Sequence, residues 1–174
     1  MKNYTRILAL AAIAVLSLTA CGPSDEEKQK AKEDAAAAEA AKPVSAPKDP
    51  ANKVAWQSYL SKTVMQNMQG TKTNHPFMYY VPGGDGADQD SARKDQLDNV
   101  STTVQRGVLP GNLMAFGGPN SKLTADLIAG SFADAGEGTL KGVVVLFIGS
   151  PADSDRVKEA IAKSGAEFRF VEMK

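Results

Sequence analysis

The sequence predicts an α/β domain: a small, mostly parallel four-stranded sheet with flanking helices, β-α-β-α-β-α-β, preceded by one extra amphipathic helix. Three observations predict it. Short apolar runs alternate, from residue 77 onward, with stretches whose apolar residues recur at helical spacing. The run "GVVVLFI" at 142–148 is apolar throughout, as expected of a strand covered on both faces. Strand and helix strictly alternate to the end of the chain, which is the pattern of a parallel sheet with crossover helices.

The elements follow in order. Residues 52–69 place Trp56, Leu60, Val64 and Met68 on one helical face, with Gly70 behind them as a stop. "FMYYV" at 77–81 is the first strand, and 90–107 a helix turning Leu97, Val100 and Val104 inward. "NLMAF" at 112–116 is the second strand, followed by a helix over 120–135 that buries Leu123, Leu127 and Phe132. The third strand, 142–148, leads into a helix over 150–165, with Ser150 as cap, Pro151 in the first turn, Asp153 three after the cap and Gly165 past the end. "EFRFVEM" at 167–173 alternates at its start and suits an edge strand. The expected strand order is 2-1-3-4, flavodoxin-like, with the 52–69 helix packed outside.

Upstream of this domain, 52–174, the composition changes twice. Lys2 and Arg6 precede the apolar "ILALAAIAVLSLTA" at 7–20, a basic end and a short apolar core. Fourteen residues are too few to span a bilayer, which needs about 20, so residues 1–20 read as a signal peptide. The chain's single cysteine, Cys21, follows directly in "LTAC", with Gly22 behind it. Leu18, Thr19, Ala20 and Cys21 together resemble the lipobox of bacterial lipoproteins. That resemblance covers residues 1–22 and implies that Cys21 carries acyl chains after cleavage, with an outer-membrane, periplasm-facing home because residue 22 is not Asp. Each buried methylene is worth about 0.8 kcal/mol, so several chains anchor firmly.

Residues 21–51 then form a tether. "SDEEKQKAKEDAAAAEAAK" at 24–42 favours a solvated helix without an apolar stripe, and "PVSAPKDPA" at 43–51 holds three prolines and favours an extended chain. As a helix followed by an extended chain they reach roughly 50 Å, and the same composition equally suits a disordered linker of no preferred length.

Charge excludes some functions. Removing Lys2 and Arg6 takes two from the 20 basic side chains and leaves all 20 acidic ones. Such a balance provides no basic footprint for nucleic acid and no electrostatic hold on anionic lipid.

Chemistry in a parallel sheet belongs at the carboxyl ends of the strands, where the turns read "PGGDGAD" (82–88), "GGPNSK" (117–122) and "GSPAD" (149–153). The second is a candidate anion site: Gly117 and Gly118 would admit a phosphate or carboxylate to the backbone, with Asn120, Ser121 and Lys122 at the helix start. It lacks the full phosphate-loop spacing, and tight strand-to-helix turns need glycine in any case. Asp85, Asp88 and Asp90 do not match the spacing of a calcium loop and suit helix capping. His75, the single histidine, reads as a surface or capping residue. No metal site, cofactor motif or catalytic signature emerges. The expectation is a non-catalytic, membrane-anchored lipoprotein that presents its domain to an envelope protein, with Trp56, Tyr59, Tyr79 and Tyr80 as candidate contact aromatics. The alternative is binding or hydrolysis of a small anion at the carboxyl edge of the sheet.

Overall fold

Four helices and four strands make up the described part of the chain, residues 44–174 of a computed structural model. They alternate as α1 (Lys53–Gln66), β1 (Phe77–Tyr80), α2 (Ala87–Arg106), β2 (Leu113–Gly117), α3 (Ser121–Phe132), β3 (Val144–Gly149), α4 (Pro151–Ala162) and β4 (Glu167–Glu172). The lipobox and residues 24–42 lie outside the described residues. Among the described residues no helix is long and apolar enough to cross a membrane.

All three strand pairings are parallel, so the α/β class and the element order read from the sequence hold. The strand order does not follow 2-1-3-4. The sheet runs β1-β2-β3-β4, each strand beside the one before it. Because every crossover steps in the same direction with the same hand, α2, α3 and α4 are delivered to one face. There Val100 and Val104 of α2, Ile128 and Phe132 of α3 and Val157 and Ile161 of α4 share one apolar cluster with Met114, Phe116, Val145 and Phe147. The opposite face is left to α1, whose Trp56, Tyr59, Leu60 and Val64 cover Leu113, Ala115, Val144, Leu146 and Ile148. A doubly wound order was not needed, because a helix ahead of β1 already covers the second face.

Local chemistry sets the boundaries. Asn52 caps α1 by accepting from the Ala55 N–H at 3.0 Å, and Asn120 caps α3 by accepting from Leu123 at 3.1 Å. Ser150 accepts from Ala152 at 3.3 Å, with Pro151 behind it in the first turn of α4. β2 and β3 are buried along their whole length, as interior strands must be. β1 has only four residues, bracketed by Pro76 and Pro82, and its first two are exposed. That is the composition of an edge.

The tether also ends earlier than expected. Val44 and Ala46 pack against the α1 side of the core, the Ala46 N–H donates to the Lys174 carbonyl, and the Trp56 Nε1 donates to the Asp49 carbonyl at 3.0 Å. Residues 44–46 are therefore laid against the domain beside the end of β4, and Pro50 and Ala51 reach the carboxyl end of β1, rather than standing clear of it. Further along β4, the Arg169 guanidinium donates to the Asn67 and Gln69 carbonyls just past α1. The β4 flank of α1 is thus closed by a chain segment and an arginine.

Phe116 sits at the centre of the three-helix face, stacked on Tyr79 at 4.9 Å and edge-on to Phe132 at 6.3 Å. Phe116→Ala should lower unfolding stability by about 3–5 kcal/mol, read from urea titration of the folded chain.

Candidate functional site

The loops after β2 and β3 meet at the carboxyl edge of the sheet, and their polar groups are turned on one another. The Ser121 hydroxyl at the start of α3 donates to the Asp153 carboxylate of α4 at 2.6 Å and accepts from the Ser150 N–H at 2.7 Å. One hydroxyl therefore ties two helix starts together. Lys122 pairs with Asp126 one turn on, at 2.9 Å, and Arg156 reaches from α4 to the same carboxylate. Arg156 also meets Asp153 and the Lys122 carbonyl, each at 3.3 Å. Burial works to raise the Asp126 pKa, but hydrogen bonds from Arg156 and Lys122 outweigh it and hold the carboxyl below its usual range.

This geometry accounts for every residue of the candidate anion site. The Asn120 side chain is the cap of α3, the Ser121 hydroxyl is used in both directions, and the Lys122 ammonium is paired. The glycines serve packing. A Cβ on Gly117 would stand 2.5 Å from the Leu60 side chain of α1, and one on Gly118 would stand 2.0 Å from the Val81 carbonyl oxygen. The close approach that the glycines permit is that of the chain to itself. The Asp153 carboxylate, largely buried beside Ser121, would also repel an incoming anion. The structure brings Ser121 and Lys122 together with Asp126, Asp153 and Arg156, none of which was among the sequence candidates. The spacings Lys122–Asp126 and Asp153–Arg156 were open to reading as helical ion pairs; the cross-helix link was not.

Strand order bears on the same question. Ligand crevices in open α/β sheets form where crossovers diverge to opposite faces. An order of β1-β2-β3-β4 contains no such reversal.

Open space lies instead on the α1 side, along β1. A cleft of about 500 Å³ at the carboxyl end of β1 is lined by Pro50, Lys53, Tyr80, Gly84, Asp85 and Gln89. Arg93 shapes its loop, donating to the Pro82 carbonyl at 2.9 Å and the Gly84 carbonyl at 2.7 Å. A second hollow, about 530 Å³, lies at the other end of β1 between Val64, Met65, Met68, His75 and Met78. A smaller one between Gln57, Leu60, Met78 and Tyr80 shares residues with both, so a groove follows the length of β1. It lies between α1 and the free edge of β1, with Met78 and Tyr80 on its strand side, Gln57 and Leu60 on its helix side and Pro50 at its carboxyl end.

The remaining sequence candidates are placed as follows. Trp56, Tyr59 and Tyr79 are buried and serve the core, which removes them as contact aromatics; Tyr80 is half-buried on the groove. Burial raises the Tyr59 and Tyr79 pKa values, against hydrogen bonds that lower them. His75 is exposed at the groove, its N–H held by the Thr73 hydroxyl at 3.0 Å. Asp85, Asp88 and Asp90 are exposed around the start of α2, and among the described residues no cluster of metal-ligating side chains forms. The apolar residues that do face solvent include Met65, Phe77 and Met78, which the helical and strand periodicities did not single out.

Two outcomes follow for the strand-end network. Ser121→Ala should cost about 1–3 kcal/mol, since it strands a partly buried carboxylate and an N–H, measured by urea unfolding at neutral pH. For Asp126 the folded pKa is the lower one, so its contribution is present above the unfolded carboxyl pKa and is lost as pH falls through the folded value. Because Asp126 is 40% exposed, screening holds that contribution below about 1 kcal/mol. Asp126→Asn should flatten the acid limb of the stability profile by that amount, and added salt should shrink the difference. Comparison of the chain with protein-family models, curated proteins and solved structures returns no match.

Proposed function

We propose that this chain is a lipid-anchored, non-catalytic protein of the bacterial envelope that presents its α/β domain to a protein partner. Cys21 is the acylated residue, the outer membrane's periplasmic leaflet the site of anchoring, and the groove between α1 and β1 the binding face. The observation that carries the reading is free apolar surface at this groove: Met65 is 60% exposed and Met78 49%, both lining its hollow, while Phe77, 40% exposed, sits on the same edge strand but on the other face of the sheet. Exposed apolar side chains gathered along a groove mark a contact surface. The lipobox "LTAC" supports the anchor, and near-neutral charge leaves membrane attachment to the acyl chains.

A second reading has its own support. The cleft of about 500 Å³ at the carboxyl end of β1 has the size of a small-molecule site, with Lys53, Tyr80 and Gln89 as polar contacts. It replaces residues 117–122 as the place where a small anion would bind, and a thermal-shift panel of phosphates, nucleotides and sugars on wild-type and Lys53→Ala protein tests it. A dose-dependent rise that Lys53→Ala abolishes would favour it over the partner-binding reading.

For the leading reading, metabolic labelling with an alkyne fatty acid should tag wild-type protein at Cys21 and leave Cys21→Ser unlabelled with residues 1–20 retained, as mass spectrometry would show. A photo-crosslinking residue at position 65, in cells, should give a discrete adduct that the same residue at position 109 does not. Equal adducts from both positions would remove the groove as the binding face.

A further inference from the structure

The free edge of β1 offers few main-chain groups to another strand. The Val81 N–H donates inward to the Gly117 carbonyl of β2 at 2.8 Å. Main-chain groups alternate in direction along a strand, so Phe77 and Tyr79 also turn inward while Met78 and Tyr80 turn their N–H and C=O outward. Pro76 and Pro82, the next residues of that outward set, have no N–H to offer. The usable edge is therefore two residues, bracketed by prolines.

A second copy related by a two-fold axis must approach antiparallel, and residues directly opposite one another must project to the same side of the sheet. Only one register then uses all four free groups without calling on a proline: Met78 of each copy opposite Tyr80 of the other, with Tyr79 opposite Tyr79. Both Met78–Tyr80 pairs are hydrogen-bonded pairs, which makes four bonds. The axis stands normal to the sheet, so both α1 helices remain on one face, and Met78, Tyr80 and Met65 of each copy fill the groove left open beside the other's α1. The opposite edge does not share this design: β4 carries Glu167, Arg169 and Glu172, and residues 44–46 lie along its α1 side.

We infer that the occupant of the β1 edge is a second copy of this chain, giving an eight-stranded sheet across a two-fold axis. This rests on the reading of the α1–β1 groove as the binding face and names its partner. The three exposed apolar side chains offer on the order of 100 Å² each, hence about 600 Å² across two copies. With the edge backbone, Tyr80 and the 73–76 loop, the total approaches the ~1,000 Å² of a specific but weak interface. A dissociation constant on the order of 10–100 μM is expected.

The test is sedimentation equilibrium of the full chain in density-matched detergent, up to about ten times that constant, with Met78→Lys and Leu109→Lys alongside. Wild type and Leu109→Lys should dimerise, and Met78→Lys should weaken the dimer at least ten-fold with an unchanged melting temperature. Met78 is exposed, so a charge there meets water in the monomer and another copy in the dimer. In a Cys21→Ser background, a mixture of Met78→Cys and Tyr80→Cys chains should form a mixed disulfide faster than either chain alone forms its own. A wild type that stays monomeric, or a dimer indifferent to Met78→Lys, overturns the inference. If the adduct from position 65 to a different protein persists in that case, the binding face stands and only its occupant changes. Loss of both removes the face as well.

Discussion

The docking of α1 against one face of the sheet is the constraint from which the other features follow. Three crossovers stepping in one direction leave that face bare, and burial of β2 and β3 on both sides requires a cover supplied from outside the crossover series. A single helix is about 10–12 Å wide and strands lie about 4.8 Å apart, so one helix covers two strands well and four not at all. Leu60 settles where α1 sits. Its side chain presses on Gly117 closely enough that even a Cβ would collide, which draws the helix over the inner strands. The two flanks left over are then treated differently. Residues 44–46 and Arg169 close the β4 side, while the β1 side keeps its groove.

The same asymmetry bears on why the carboxyl ends of β2 and β3 hold no open site, while the end of β1 does. Helices α3 and α4 start side by side on one face, and their free N–H groups and first-turn side chains can reach one another. Ser121, Asp153, Arg156 and Asp126 complete a network in which each group has a partner. In the order 2-1-3-4 it is α2, not α3 or α4, that would change face, opening a crevice between the ends of β1 and β3. The observed order keeps α2, α3 and α4 on one face and forms no such crevice. The part-buried Ser121–Asp153 bond and the exposed Arg156 pairs around it tie the two helix starts together.

Most of the element order was legible because the sequence is locally consistent: capping residues, apolar periodicity and turn glycines agree at α3 and α4. Strand order was less so. The continuous run at 142–148 identified an interior strand, and β3 is one, but nothing in the composition of a crossover helix says to which side it steps. The signal that favoured β1 as an edge was available in Pro76 and Pro82. Of the candidate site, Ser121 and Lys122 were visible as residues at a helix start, yet their partners lie thirty or so positions away, on α4, or within the same helix. Spacing rules reach the second kind of contact and not the first. The aromatics offered as contact residues failed for a related reason: Trp56, Tyr59 and Tyr79 have the same chemistry inside as outside, and only the packing of α1 and α2 assigns them to the interior.

An edge strand with exposed methionine and phenylalanine is a hazard for any free protein, since it can template pairing with other chains. Here the hazard is bounded by the sequence around the strand. Two prolines limit the edge to two outward residues, too short to propagate, and the pairing that they allow closes on itself, leaving charged β4 at both ends of an eight-stranded sheet. A two-fold axis normal to the sheet also places the Val44 ends of both copies on the α1 side, where residues 44–46 pack. On the proposed anchoring through Cys21, both tethers would join the pair at residues on one side of its sheet. Anchoring in turn raises local concentration, so an interface too small to hold in dilute solution can still be populated at the membrane surface.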